Sequence, residues 1–293
     1  MRNKFFALVA ISILILASHS SGQHSIGNLK YKINSKDLGG DSIKIDVVKQ
    51  ENGEQIYSVI IKDVYTGHIH PYEYHNGNLY VMHRTGGQFG YSKYPDTWTD
   101  ALWRYDKNKN GTELFSVRGF QYCVAPDEKH IAIITNDSLI LLNQRGLRIW
   151  QFSREDFNLN GFSDLVFTPK FLFFSEGGVE SVFHLIIKMN LKDFSWSRHN
   201  LPDLSFDGDY SFNPSNEMVV GSNYPFFYDS DEHKSWMKDT PIVTLYLYNF
   251  RSNKKFIIAT SKAKQFNPEW IDKDHIRFND PASMKRIVYK INQ

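Results

Sequence analysis

Five prolines, Pro71, Pro126, Pro169, Pro214 and Pro268, each head the same short series of segments. The series is clearest in APDEKHIAIITNDSLILLNQRGLRIWQFS, residues 125–153. A proline-led turn is followed by an apolar run, a turn at Asn136-Asp137, a second run, a turn at Arg145-Gly146 and a third run. The prolines stand 55, 43, 45 and 54 residues apart. That is a period near 43, stretched twice by insertions, and it matches the period of a propeller blade. One such unit cannot bury its apolar faces alone, so it must stack on its neighbours. Proline suits the head of the unit because it opens a turn and needs no ladder donor there.

Within the units the runs alternate apolar and polar, as in SIKIDVV, NLYVMHR, HIAIIT, TLYLYNF and RIVYKI, and helical periodicity is scarce after residue 28. The pattern predicts an all-β fold: a single β-propeller of five to six blades over residues 23–293. Ile131, Ile133, Leu139, Leu141, Val219, Leu245, Leu247, Phe278 and Val288 are its expected buried strand residues. The last unit ends at RIVYKI, one strand short. NLKYKIN, residues 28–34, is the expected closing strand, so the ring would shut by pairing of the N- and C-terminal strands and leave no free edge.

The unit APDEKHIAIITNDSLILLNQRG resembles the repeat of TolB-like and related WD-type propellers. In these a proline-aspartate turn precedes the first apolar strand and a glycine turn follows the second. One unit matches well and four loosely, with Tyr72, Lys170, Ser215 and Glu269 in the place of Asp127. The resemblance implies a bladed propeller with a binding role. It carries over no catalytic residue.

The chain opens MRNKFFALVAISILILASHSSGQ. Basic Arg2 and Lys4, the apolar run Phe5 to Ala17 and a small-residue tail read as a signal peptide over residues 1–22, cut after Ser20 or Gly22. The run is shorter than the roughly 20 residues a span requires, so no integral membrane segment is expected after cleavage. The protein is then exported, to a periplasm or to the extracellular space. Its single cysteine, Cys123, cannot form an internal disulfide and reads as a buried thiol. Lys plus Arg at 34 nearly balance Asp plus Glu at 32, without a basic stripe, which disfavours a nucleic-acid partner.

Two insertions distinguish their units, residues 84–100 and 222–241. Both fall between the same two strands, so both should emerge on one face. They carry Tyr91, Tyr94, Trp98, Tyr224, Phe227, Tyr228 and Trp236, the side chains of which interface centres are made. Rings that simply pack on one another are the competing reading. Carboxylates gather on the same and a nearby connection: Asp96, Asp100, Asp229, Asp231, Glu232, Asp207 and Asp209. Four histidines, His68, His70, His75 and His83, crowd a short stretch, but no third ligand stands at a fixed reach, and the other units replace them freely. They read as turn and edge residues, with no metal. The sequence contains no G-x-S-x-G, H-E-x-x-H, phosphate loop or C-x-x-C, and implies no cofactor. These observations favour a non-enzymatic binding or scaffold protein whose aromatic loop face holds a protein or glycan. The alternative is a secreted glycoside hydrolase or lyase with loop-face carboxylates as acid and base.

Overall fold

Asn76 and Gly77 have φ values of 45° and 92°, the left-handed pair that a two-residue hairpin turn requires. They join β4 (Tyr72–His75) to β5 (Asn78–Thr85). In this computed structural model the described residues are 31–39, 42–62, 72–85, 99–176, 185–201, 209–213, 217–224, 230–262 and 264–291. The chain divides into two compact units, Met1–Phe120 and Gln121–Gln293.

The first unit holds two antiparallel meanders. One is β1 (Tyr31–Asp37), β2 (Ser42–Lys49) and β3 (Gln55–Lys62). The other is β4, β5, β6 (Thr99–Tyr105) and β7 (Gly111–Val117). Alternate residues of β2 and β3, namely Ile43, Ile45, Val47, Tyr57, Val59 and Ile61, form one apolar face and pack on Tyr74, Leu79, Val81 and Tyr105 of the second meander. The Tyr57 hydroxyl donates to the Asp106 carbonyl at 2.9 Å. The strand expected to close a ring is β1, which pairs with β2 along its whole length.

The second unit repeats the meander four times, and in each the strands lie in chain order across the sheet. The first comprises β8 (Gln121–Val124), β9 (His130–Ile134), β10 (Ser138–Asn143) and β11 (Arg148–Ser153). Next come β12 (Phe162–Phe167), β13 (Phe171–Glu176), β14 (Leu185–Asn190) and β15 (Trp196–Asn200). The third is β16 (Tyr210–Asn213), β17 (Met218–Ser222), β18 (Ile242–Asn249) and β19 (Lys254–Lys262). The last has three strands, β20 (Glu269–Trp270), β21 (His275–Asp280) and β22 (Lys285–Lys290). Successive sheets pack face to face. Leu139 and Leu141 meet Leu172 and Phe174; Phe173 meets Phe212 and Phe250; Leu245 and Leu247 meet Ile276 and Phe278.

The proline-led turn has a concrete mechanism. The Ala125 N–H donates to the His130 carbonyl, and the Asp127 carboxylate accepts the Lys129 N–H at 3.0 Å. The shorter version at Thr168 uses its hydroxyl to accept the Phe171 N–H, and at the last unit Asp272 accepts the N–H groups of Asp274 and His275. Several residue types thus close one turn by one physical device, which is why only one unit matches the proline-aspartate pattern well.

Of the nine expected core residues, eight lie in strands and are buried. Val288 is in β22 and 56% exposed, because β22 is the outer strand of its sheet. Cys123 is buried in the core between the first two meanders of the second unit. Among the described residues no helix is long and apolar enough to cross a membrane.

Candidate functional site

The second insertion connects β17 to β18. β17 ends at Ser222, and the chain then forms helix α1 (Ser230–Lys238) before entering β18. Asn223 stitches the base of the insertion, accepting the Thr244 N–H at 2.7 Å. The Tyr224 N–H donates to the Ser222 hydroxyl at 3.1 Å. The Tyr224 hydroxyl meets Nε2 of His233 at 2.8 Å, and its ring stands edge-on to Trp236 with centroids 5.1 Å apart. His233 and Trp236 are three residues apart on α1 and so share a face. Tyr224 is buried, whereas Trp236 is half-buried against the core of the last two sheets. The insertion is therefore an ordered helix pinned by an aromatic cluster. The sequence signals for this helix are its acidic start and the closing Lys238.

Beneath this cluster lies Asp209, 1% exposed. Its carboxylate accepts the Ser222 hydroxyl at 2.6 Å, the Phe266 N–H at 2.8 Å and the Asn267 N–H at 2.5 Å. Burial pushes this carboxyl above the usual carboxylate value, and the three donors offset part of that shift. Burial and the nearby Asp209 carboxylate raise the Tyr224 phenol.

A second carboxylate of this kind went unnoticed in the sequence. Asp164 accepts the Ser175 hydroxyl at 2.7 Å and the Tyr210 hydroxyl at 2.6 Å. The signal was available, because Asp164 and Asp209 each stand five residues before the proline of their unit.

Tyr91, Tyr94, Trp98, Phe227 and Tyr228 lie outside the described residues, as do Asp96, Asp207, Asp229, His68 and His70. Each of the two remaining acids with a described side chain has its own local partner. Asp231 is exposed and pairs with Lys234 at 2.9 Å, and Asp100 is buried and accepts the Gly119 N–H at 3.0 Å.

The histidine stretch departs from the turn-and-edge reading. His75 is buried at the end of β4, with Nε2 2.8 Å from the buried Glu73 carboxylate. His83 is buried in β5 and stacks on Trp103 at 5.4 Å. Both are core residues. Among the described residues no three His, Cys, Asp or Glu side chains come together as a metal site.

No family model matches the chain, and no curated protein matches it by sequence. Solved structures do resemble it. An oligogalacturonate lyase in complex with manganese shares 12% identity at a TM-score of 0.53, over 85% of this chain and 73% of that one. An uncharacterised protein of Listeria monocytogenes shares 9% identity at a TM-score of 0.54, over 89% of this chain and 77% of that one. The β-propeller domain of the trilobed protease from Pyrococcus furiosus shares 9% at a TM-score of 0.49, over 89% and 77%. At these identities the likeness is one of fold: an all-β chain of successive antiparallel meanders, with β-propeller proteins among its structural neighbours.

Proposed function

We propose that this chain is an exported, non-enzymatic binding or scaffold protein that holds a protein or glycan on an aromatic-rich loop face. The observation that carries this reading is the pinning of α1 by Tyr224, His233 and Trp236, which presents an aromatic insertion on a rigid sheet. A pre-ordered surface loses little conformational freedom on binding. Trp236, with Tyr91, Tyr94, Trp98, Phe227 and Tyr228, would contact the partner, and Tyr224 would position the helix from below. The meanders would be blades of a single propeller, six if each sheet counts as one. The test is a pull-down from envelope or extracellular material with the mature chain, repeated with Trp236→Ala. The reading predicts that the variant loses the partner, and equal recovery by both chains refutes it.

A second reading is a saccharide lyase or hydrolase, favoured by the likeness to the oligogalacturonate lyase. Against it, Asp209 is sealed by three donors and Asp100 accepts a backbone N–H, so neither is poised as an acid or base. Incubation with oligogalacturonate separates the two readings when both products are followed: unsaturated uronate for a lyase, and new reducing ends without unsaturation for a hydrolase.

A further inference from the structure

The last sheet of the second unit has three strands where the three before it have four, and β22 is its outer strand. Ile287 and Tyr289 pair with Phe278 and Ile276, so they stand on the face that carries the inter-sheet core. Both are nonetheless 38% exposed. On the neighbouring sheet Phe256 pairs with the core residue Leu247, lies on the corresponding inner face, and is 50% exposed. The apolar seam between these two sheets therefore runs on past its buried part and opens to solvent.

The equivalent seam between the first two sheets of the unit is lined by rings that touch one another, although Trp150 and Trp196 are themselves 48% and 43% exposed. There Trp150 and Phe152 of β11 and Trp196 of β15 are joined by Phe194 and the buried Phe157 in a chain of ring contacts 5.0 to 6.3 Å long. Phe157 sits on a single helical turn inserted after β11. The short connection between β19 and β20 supplies Phe266 to the core and no comparable outer plug among the described residues.

Charge frames the open seam. Residues 251–291 contain ten Lys and Arg against four Asp and Glu, in a chain that is otherwise almost balanced. Each outer strand is basic at both ends and apolar in its middle. β19 runs from Lys254 and Lys255 through Phe256 and Ile257 to Lys262, and β22 from Lys285 and Arg286 through Ile287, Val288 and Tyr289 to Lys290. The four acids are engaged nearby: Glu269 with Arg277 and Arg286, Asp272 with His275, Asp274 with Lys273, and Asp280 with Ser283. Among the described residues no ion pair takes Lys254, Lys262, Lys285 or Lys290.

We propose that the free edge of β22 accepts an extended segment of a partner protein as a fourth strand. The backbone of β22 would supply the ladder. Alternate apolar side chains of the segment would enter the seam beside Ile287, Tyr289 and Phe256, and carboxylates at its two ends would meet the lysines. A strand as long as β22 spans about 20 Å. A lipid surface would use the same charge but has no need of an open backbone edge or of the alternation on β22. This inference does not depend on the aromatic insertion.

The test uses the full chain and a labelled peptide of alternating valine and threonine ended by paired aspartates. Fluorescence anisotropy should show saturable binding that falls about tenfold in Lys285→Glu/Arg286→Glu and in Ile287→Asp. All three residues are exposed, and unchanged melting curves would confirm that the variants fold. Residue-resolved amide exchange should show the outer-edge amides of β22 exchanging fast in the free chain and slowly with peptide. Four results would overturn the proposal. The edge amides could already be slow in the free chain, so that the chain covers its own edge. A lysine-ended peptide could bind equally well. The aspartate peptide could fail to bind. Or the chain could bind phosphatidylglycerol vesicles while ignoring the peptide.

Discussion

The Asp209 carboxylate and the Ser222 hydroxyl lie 2.6 Å apart and buried, and the pair recurs one repeat earlier, where Ser175 donates to Asp164 at 2.7 Å. The two aspartates are 45 residues apart, like Pro169 and Pro214. In both cases the serine lies at or near the end of the second strand of its meander, and the aspartate also accepts a donor from the next meander. Asp164 takes the Tyr210 hydroxyl, and Asp209 takes the Phe266 and Asn267 N–H groups. Each aspartate thus ties its own sheet together and holds the following one in place.

Asp209→Ala should therefore destabilise the protein by about 3 kcal/mol, since it strands the buried Phe266 N–H and the buried Ser222 hydroxyl and removes the acceptor of the Asn267 N–H. Ser222→Ala should cost less, and the double variant should fall short of the sum because the two side chains share one hydrogen bond. Urea melts of the four proteins measure the coupling. Strict additivity would mean that the contact contributes nothing.

His75→Ala should cost about 2 kcal/mol, because it removes a partner from the buried Glu73 carboxylate. A turn residue would show almost no change. Thermal melts decide between the two, and His75→Gln, which can still donate to Glu73, should recover part of the loss.

A pH dependence follows from His199. Burial is the largest influence on its imidazole and holds it below the ordinary value of 6.5; the Asn253 side chain raises it in part and the Lys188 charge lowers it further. Its ring packs edge-on to Phe250 at 5.3 Å and meets the Tyr248 hydroxyl at 3.3 Å. The unfolded chain takes up this proton at higher pH than the native state does. The contribution of His199 is therefore whole above pH 6.5 and is lost as pH falls from there through the native value. His199→Gln should flatten the stability profile across that window. Parallel profiles for wild type and variant would show that His199 is not a source of the slope.

The strands were legible because period-two alternation and turn chemistry coincide in each repeat. Ile131 to Ile134 and Leu139 to Leu142 are buried between recognisable turns. Ile133→Asp should consequently unfold the second unit, and near-ultraviolet circular dichroism would show it. What the sequence concealed depends on contacts between segments far apart in the chain. Val288 follows the alternation but has no sheet outside it. His75 looks like a turn residue until Glu73 is seen beside it. Tyr224, His233 and Trp236 come together only because α1 folds back onto Tyr224. The recurrence of Asp164 and Asp209 was on view, but short polar side chains at strand starts read as turn residues unless their partners are known.

Trp236 gives the most direct check on the functional reading. Its ring is half-buried, resting on Tyr224 on one side and reaching the surface on the other. If α1 presents the binding face, Trp236→Ala should weaken partner binding by about 2 kcal/mol or more, since a tryptophan at an interface centre commonly carries that much. The same change opens a gap against Tyr224, so some loss of stability is expected too. Trp236→Phe separates the two effects. It keeps a ring against Tyr224 and should restore most of the melting temperature, yet it loses the outer part of the indole and should recover only part of the affinity. Titration calorimetry against the partner from the pull-down, beside thermal melts of the three proteins, measures both. Affinity that tracks stability through the series would mean that Trp236 only holds α1 in place.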